Sequence, residues 1–261
     1  MQTVLQAHNI NIGYSGRIPA GIARNISLKL KKGSLTALIG ANGVGKSTLL
    51  RTLTALQKPL AGHIELNGRN IETFTAKEMA QNLSIVLTES LPPSNLTVFE
   101  LVALGRQPYT NWLGTITAED TQKINEAMQL TQVQHLAEKK HYEISDGQLQ
   151  KVLIARALAQ DTPLIILDEP TTHLDLLHKV SLLRLLKQLS EKTGKCILYS
   201  THDLDLALQL SDEIIVMANG SAVQDTAENH IKAKNFDSIF EGSGIVFNPD
   251  KGTFTIMQDK L

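Results

Sequence analysis

Cysteine is almost missing from this sequence: Cys196 is the single thiol among 261 residues. One thiol closes no internal disulfide, so a stapled scaffold is excluded and the composition fits a reducing compartment. Its place in the apolar run "KCILYS" predicts a buried strand residue rather than a ligand or nucleophile. An excess of either charge is missing too. Lys and Arg number 25 against 26 Asp and Glu, a formal net charge of -1, which lacks the basic surplus that nucleic-acid binding needs and predicts no nucleic-acid partner. No stretch approaches the 18 or so apolar residues of a membrane span. The start, "MQTVLQAHNINIGY", has no basic segment followed by a long apolar core, so no signal peptide is expected. There is no internal repeat and no low-complexity tract. The expectation is a cytoplasmic chain whose membrane association, if any, comes through a partner.

What is present is an ordinary globular composition, 42% hydrophobic and 20% charged, long enough for one large domain or a core with a subdomain. The first 33 residues alternate apolar and polar positions, as antiparallel strands half exposed to water do, with Ile26, Leu28 and Leu30 on one side. "SLTALIG" reads as a buried strand running into a glycine-rich turn and the helical run "KSTLLRTLTAL". "HIELNG" adds a strand and turn, and Ile85 to Leu87 another strand. Thr97 with Glu100 and Thr117 with Asp120 have the spacing of reciprocal helix caps. Two further buried strands, "LIILD" at 164–168 and "CILYS" at 196–200, flank the helical run "LLHKVSLLRLLKQLSEK". "EIIVMANGSAV" is a hairpin turning at Asn219-Gly220, and "GIVFNPDKGTFTIM" a second one. Strand alternating with helix implies an α/β fold with a mostly parallel sheet, here carrying an antiparallel β flank and an inserted helical subdomain. The expected organisation is one domain over 1–261, with a core of 1–88 and 162–261 and the helical insertion at 89–161.

Gly40-Ala41-Asn42-Gly43-Val44-Gly45-Lys46-Ser47 matches G-x-x-x-x-G-K-[ST]. Glycines let successive amides point at phosphate oxygens, Lys46 reaches the terminal phosphates, and the Ser47 hydroxyl is placed to ligate magnesium. The helix that begins there, through Thr48, turns its positive end to the anion. Alone, this loop says only that a nucleoside triphosphate binds. "PLIILDEP" ends a buried strand with Asp168 and Glu169, and ligands of parallel sheets sit beyond such strand ends. Asp168 is then a candidate for the magnesium shell and Glu169 for orienting or deprotonating the attacking water. The bland alternative is two acids capping the turn before Pro170. "CILYS" delivers His202 to the same edge, where it can donate to a terminal phosphate; a merely solvated histidine is the alternative. The remaining histidines show no metal-ligand spacing.

A second helix opens with Ser145-Asp146-Gly147-Gln148. Ser145 suits a helix cap, Leu149, Val152, Leu153 and Ala157 form the expected buried stripe, and the amides around Gly147 offer another anion site. A plain capped helix explains the serine and the stripe but not the whole constellation. Taken in order, Tyr14, the phosphate loop, "ISDGQ", Asp168-Glu169, Thr172-His173-Leu174-Asp175 and His202 make the chain resemble the ATP-binding cassette ATPases over nearly its full length. The resemblance implies a P-loop NTPase core that hydrolyses ATP with Mg2+. It implies a head-to-tail homodimer in which Ser145, Gly147 and the adjoining Gln148 face the ATP held by the partner's Lys46. It implies that Asp175 lies along that interface and that Tyr14 stacks on adenine, although Tyr14 also suits a plain strand position.

Two departures from the family pattern stand out. Asp146 replaces the usual glycine of the signature, where it must point away from phosphate or reinforce the helix start. Thr88 followed by Glu89 stands where a magnesium-contacting glutamine is usual, so one of them is expected to replace that contact. "TVFELVALGRQPY", residues 97–109, resembles the segment found in ATPase subunits of importers for iron-siderophore complexes, haem and vitamin B12. The resemblance thus implies a subunit at the cytoplasmic face of the inner membrane, held peripherally by two transmembrane permease subunits and served indirectly by a substrate-binding protein. Two other readings stay open: a soluble cassette ATPase of the DNA-repair or translation type, and a non-catalytic nucleotide-binding scaffold.

Overall fold

A computed structural model describes residues 2–14, 20–87, 94–241, 245–248 and 253–256. Two sheets form its frame. β1 (Thr3–Tyr14) and β2 (Ala20–Lys31) pair antiparallel, and β4 (Ala61–Leu66) and β5 (Arg69–Asn70) extend them in the order β2-β1-β4-β5. The larger sheet has the order β10-β9-β3-β8-β7-β6, built from β3 (Leu35–Ile39), β6 (Leu83–Val86), β7 (Leu164–Leu167), β8 (Cys196–Ser200), β9 (Glu213–Ala218) and β10 (Ser221–Asp225). Every pairing in it is parallel except the β9–β10 hairpin. Asn219 and Gly220 make that turn with φ of 48° and 71°, the left-handed pair that a two-residue hairpin requires. The expected terminal hairpin is also present as β11 (Ile245–Asn248) and β12 (Thr253–Ile256).

The central parallel strands β3, β7 and β8 are buried along their whole length because both faces are covered. Alternation sends Leu35, Ala37, Ile39, Ile165, Leu167, Ile197 and Tyr199 into one core with the helices. Leu38, Leu164, Ile166, Cys196 and Leu198 enter a second core, shared with β1, β2, β4 and α1 (Lys46–Leu53). Cys196 is wholly buried, and that burial pushes its thiol up to about 12, so it is an inert core group as its strand context predicts. Closing the helical side is α6 (Leu176–Thr193), whose Leu182, Leu183, Leu186 and Leu189 are buried at helical spacing.

Between β6 and β7 the described residues are mainly helical. α2 (Ala76–Asn82) precedes β6, and α3 (Val98–Ala103), α4 (Ala118–Leu130) and α5 (Asp146–Ala159) follow it. Both expected reciprocal caps are present, Thr97 with Glu100 and Thr117 with Asp120. Gly105 lies against the Arg156 carbonyl so closely that an added Cβ would collide with it, which brings the segment after α3 onto α5. There Arg106, almost fully buried, donates from Nε to Asp120 Oδ1 at 2.8 Å and from Nη1 to the Ala159 carbonyl at 2.9 Å. Towards the carboxyl end, α7 (Leu204–Leu210) packs against α6 and β3, and α8 (Ala227–Lys232) meets β9 where His230 Nε2 lies 2.8 Å from the Ile214 carbonyl oxygen. No helix among the described residues is long and apolar enough to cross a membrane.

Three local expectations need correction. The strand expected at 85–87 spans Leu83–Val86, and Leu87 beyond it is exposed. The first helix ends at Leu53, where Thr54 turns its hydroxyl back onto the Leu50 carbonyl. In α5, Val152 and Ala157 are buried as expected, but Leu149 and Leu153 are only half-buried while Ile154, Ala155, Leu158 and Ala159 are buried too. The second half of that helix is covered on several sides, so a single stripe understates it.

Candidate functional site

β8 lies between β3 and β7, with Leu38 in register with Ser200 and Leu167 with Tyr199. Parallel direction therefore delivers the phosphate loop after β3, Asp168-Glu169 after β7 and His202 after β8 to one edge of the sheet. The loop has a fixed shape. A Cβ at residue 40 would strike the Met217 carbonyl, and one at residue 45 would strike Ile22, while Gly45 also adopts φ +111°. Only glycine meets both demands there. Lys46 is buried, with Nζ donating to the Gly40 carbonyl at 2.9 Å and the Ala41 carbonyl at 3.2 Å. Burial lowers its pKa, and the nearby carboxylates of Glu169 and Asp168 oppose that shift. Gly45 caps α1 without a side-chain hydrogen bond, which leaves the first-turn amides without a side-chain acceptor. Ser47 and Thr48 are on this first turn, and Thr48 is buried.

Ser200, at the end of β8, organises the acids. Its hydroxyl donates to Asp168 Oδ1 at 2.6 Å and accepts from the Glu169 amide at 2.8 Å. Glu169 takes φ +46°, a left-handed conformation uncommon for a non-glycine residue and concentrated at functional sites. Its Oε1 stands 2.5 Å from His202 Nε2, and its Oε2 accepts from the Thr172 hydroxyl at 3.3 Å. The acid does meet the following turn through Thr172, as the bland reading has it, but its other oxygen is held by a histidine from a different strand. Ser47 and Asp168 line one cavity of about 390 Å3 together with Arg51, Ile85 and Leu87.

Neither Ser145 nor Gly147 lines that cavity. Ser145 caps α5: its Oγ accepts from the Gln148 amide at 3.4 Å, and the Gln148 side-chain oxygen accepts from the Ser145 amide at 3.0 Å. The Ser145 hydroxyl proton is not used in this cap, so it can still donate. Ser145 and Asp146 are exposed. Gly147 packs beneath His178, whose Cδ2 would lie 3.2 Å from an added Cβ. Asp175 caps α6, accepting from the His178 amide at 2.9 Å and pairing with His178 Nδ1 at 2.7 Å. Those two bonds, backbone first, lower the Asp175 pKa. Tyr14 closes β1 with 57% of its surface exposed. Thr88 and Glu89 lie outside the described residues.

Sequence reasoning missed three participants. Ser200 was legible only as the end of an apolar run. His178 could have been suspected from its spacing to the helix-capping Asp175. α2 carries the same signal as the helices that were found, since Thr75 and Glu78 form a reciprocal cap.

The residues fit a nucleoside triphosphate with a hard cation. Gly40 and Gly45 leave no room for a side chain, α1 opens at Gly45 without a side-chain cap, and the Ser47 hydroxyl and Asp168 carboxylate supply hard oxygen donors to one cavity.

The family model described as ABC transporter matches residues 23–172. The achromobactin transport ATP-binding protein of Dickeya dadantii is 39% identical over 229 residues, which cover 88% of this chain and 84% of that protein. The iron(3+)-hydroxamate import ATP-binding protein of Bacillus subtilis is 38% identical over 221 residues, covering 85% and 81%. Among solved structures, the dimeric post-hydrolysis state of an ATP-binding cassette bound to ADP and phosphate superposes with a TM-score of 0.72 at 28% identity, covering 85% of this chain and 98% of that one.

Proposed function

Since the chain belongs to the ABC transporter family as an ATP-hydrolysing cassette, we propose that it energises an importer of iron-siderophore chelates and completes its active sites only as a homodimer. The observation that carries this reading is the division of the site. Lys46, Ser47, Asp168, Glu169 and His202 share one sheet edge, while Ser145 and Gly147 sit on a separate exposed helix start with donors to spare. Relatives named for achromobactin and for iron(3+)-hydroxamate support the cargo class, and the dimeric cassette supports the assembly. Haem and cobalamin belong to the same wider group.

In this mechanism Lys46 exchanges its two carbonyl partners for phosphate oxygens, and the amides of residues 43–48 hold the phosphates in place. Ser47 and Asp168 would hold a magnesium ion, which would supply neutralisation of phosphate charge. Glu169 takes the proton from the attacking water, and His202 keeps the carboxylate aimed and donates toward the terminal phosphate. Ser145 and Gly147 of each protomer donate to the triphosphate on the other, with Gln148 and Asp175 beside them at the seam and Tyr14 against adenine. Thr88 or Glu89 replaces the usual glutamine near the metal. Residues 89–161 act as the helical arm through which closure reaches two permease subunits, at the cytoplasmic face of the membrane, with a substrate-binding protein upstream. Closed-state ATP binding supplies the differential affinity that shifts the transporter's conformation.

A mixing experiment tests the shared site. Lys46→Ala and Ser145→Arg proteins are each inactive alone. Combined with the permease, their mixed dimer regains one intact site and hydrolyses ATP. A mixture as inactive as its components, or a Ser145→Arg protein that turns over at the parent rate, overturns the proposal.

A further inference from the structure

We propose that His8, His63 and Glu65 form a binding site for a divalent transition-metal cation of the Zn(II), Ni(II) or Cu(II) class, on the outer face of the antiparallel sheet. β1 and β4 run antiparallel, with His8 directly opposite His63 and Ala7 opposite Ile64. Ala7 and Ile64 are buried in the core beneath the sheet. The two-residue period then turns His8, His63 and Glu65 together onto the opposite face. The register brings two imidazoles and a carboxylate from distant parts of the chain into one cluster.

The side chains converge. The imidazole rings stack with centroids 4.6 Å apart and planes inclined by 12°. His8 Nε2 lies 3.7 Å from Glu65 Oε2, and His63 Nε2 lies 3.7 Å from Glu65 Oε1. The three donor atoms all fall within 4.8 Å of one another. These separations are too long for direct hydrogen bonds, yet His8 Nε2 is buried and has no hydrogen-bond partner. A buried nitrogen that lies near a carboxylate and a second imidazole nitrogen without bonding either calls for a further group to bond it. Donors around a tetrahedral zinc stand about 3.3 Å apart, so modest side-chain rotations close the set on a cation without moving either strand.

The chemistry sets the class of metal. Two imidazoles and one carboxylate suit borderline cations, whereas magnesium and calcium favour all-oxygen shells. This site is therefore chemically separate from the oxygen donors Ser47 and Asp168. Three protein ligands leave a coordination position for water. The backbone is held independently of any cation: next to His8 the strand bulges at Asn9, with φ 48°, and the Asn9 amide donates to the Ser27 hydroxyl of β2 at 3.1 Å. A bound cation would tie β1 to β4 across the sheet.

The test uses the full chain, stripped with chelator and free of nucleotide, titrated with Zn(II) by calorimetry and with Co(II) by visible absorption. One equivalent is expected to bind saturably, with intense ligand-field bands for Co(II) in a low-coordinate site. His63→Ala and Glu65→Gln should each weaken binding at least about tenfold, since even outer-shell changes cost that much, while ATP affinity stays at the parent value and reports an intact fold. His8→Gln is the second variant should one of these prove unstable. The proposal fails if no saturable binding occurs, or if the variants bind as tightly as the parent. It also fails if His173→Ala or His178→Ala removes binding while His63→Ala does not.

Discussion

His202 Nε2 stands 2.5 Å from Glu169 Oε1, joining the end of β8 to the end of β7. The histidine holds one carboxylate oxygen, Thr172 holds the other, and Ser200 holds the backbone amide of the same residue. Glu169 is thus fixed at three points, in a left-handed backbone conformation, before any ligand arrives. Such prior fixation is what a general base needs if little reorganisation is to accompany reaction.

Glu169→Gln keeps the shape and removes the proposed base. ATP hydrolysis should fall by roughly 10²- to 10⁴-fold while ATP binding persists, and the closed dimer should accumulate. Phosphate release and light scattering in saturating Mg-ATP, with and without permease, check this; a protein that stays monomeric in both conditions contradicts the shared site.

Lys46→Met removes the ammonium that now rests on Gly40 and Ala41. Hydrogen bonds to charged groups contribute about 1.5–3 kcal/mol, so ATP should bind about ten- to a hundredfold more weakly. Equilibrium binding of a fluorescent ATP analogue measures the change. Unaltered affinity would mean that the lysine acts only after binding.

Ser200→Ala strands the Glu169 amide and removes one donor from Asp168. The orphaned, partly buried donor should cost about 1 kcal/mol of stability. Turnover should also require more magnesium, about tenfold at half-maximal rate, because Asp168 loses the donor that orients it. Denaturant melts and magnesium titrations of activity separate the two effects.

Asp120→Asn breaks the buried pair with Arg106. Losing one partner leaves a guanidinium uncompensated and should destabilise the fold by about 3–5 kcal/mol near neutral pH. Hydrogen bonds from the Thr117 hydroxyl and amide, with Arg106, hold the Asp120 carboxyl down at about 2 from an ordinary 3.8. Its stabilisation is therefore present above the unfolded value and fades as pH falls from near 4 toward 2. Urea melts along that interval should show the two proteins converging on the acid side; a constant gap would refute the assignment.

The three strand ends of the site were readable because β3, β7 and β8 are predominantly apolar and each runs directly into its chemical groups. The caps at Thr97 and Thr117 were readable because they precede helices with buried stripes. α2 carries the same cap but buries no residue completely, so its periodicity gives no signal. Leu87 shows the converse, an apolar residue whose side chain lies in solvent beyond the strand. The links from Ser200 to Asp168, from Arg106 to Asp120 and from His8 to His63 depend on strand register and on how helices approach, which local patterns do not encode. Gly105 is a further instance, since its lack of a side chain becomes meaningful only once Arg156 is seen against it.

Ile22 and Met217 occupy the ground where side chains at positions 45 and 40 would stand, so the mould of the phosphate loop is cast by strands that carry no catalytic group. Reshaping either residue would alter the cradle from behind. A lesion there would present in every nucleotide assay as a defect of the loop itself, although the loop's own sequence had not changed by a single atom.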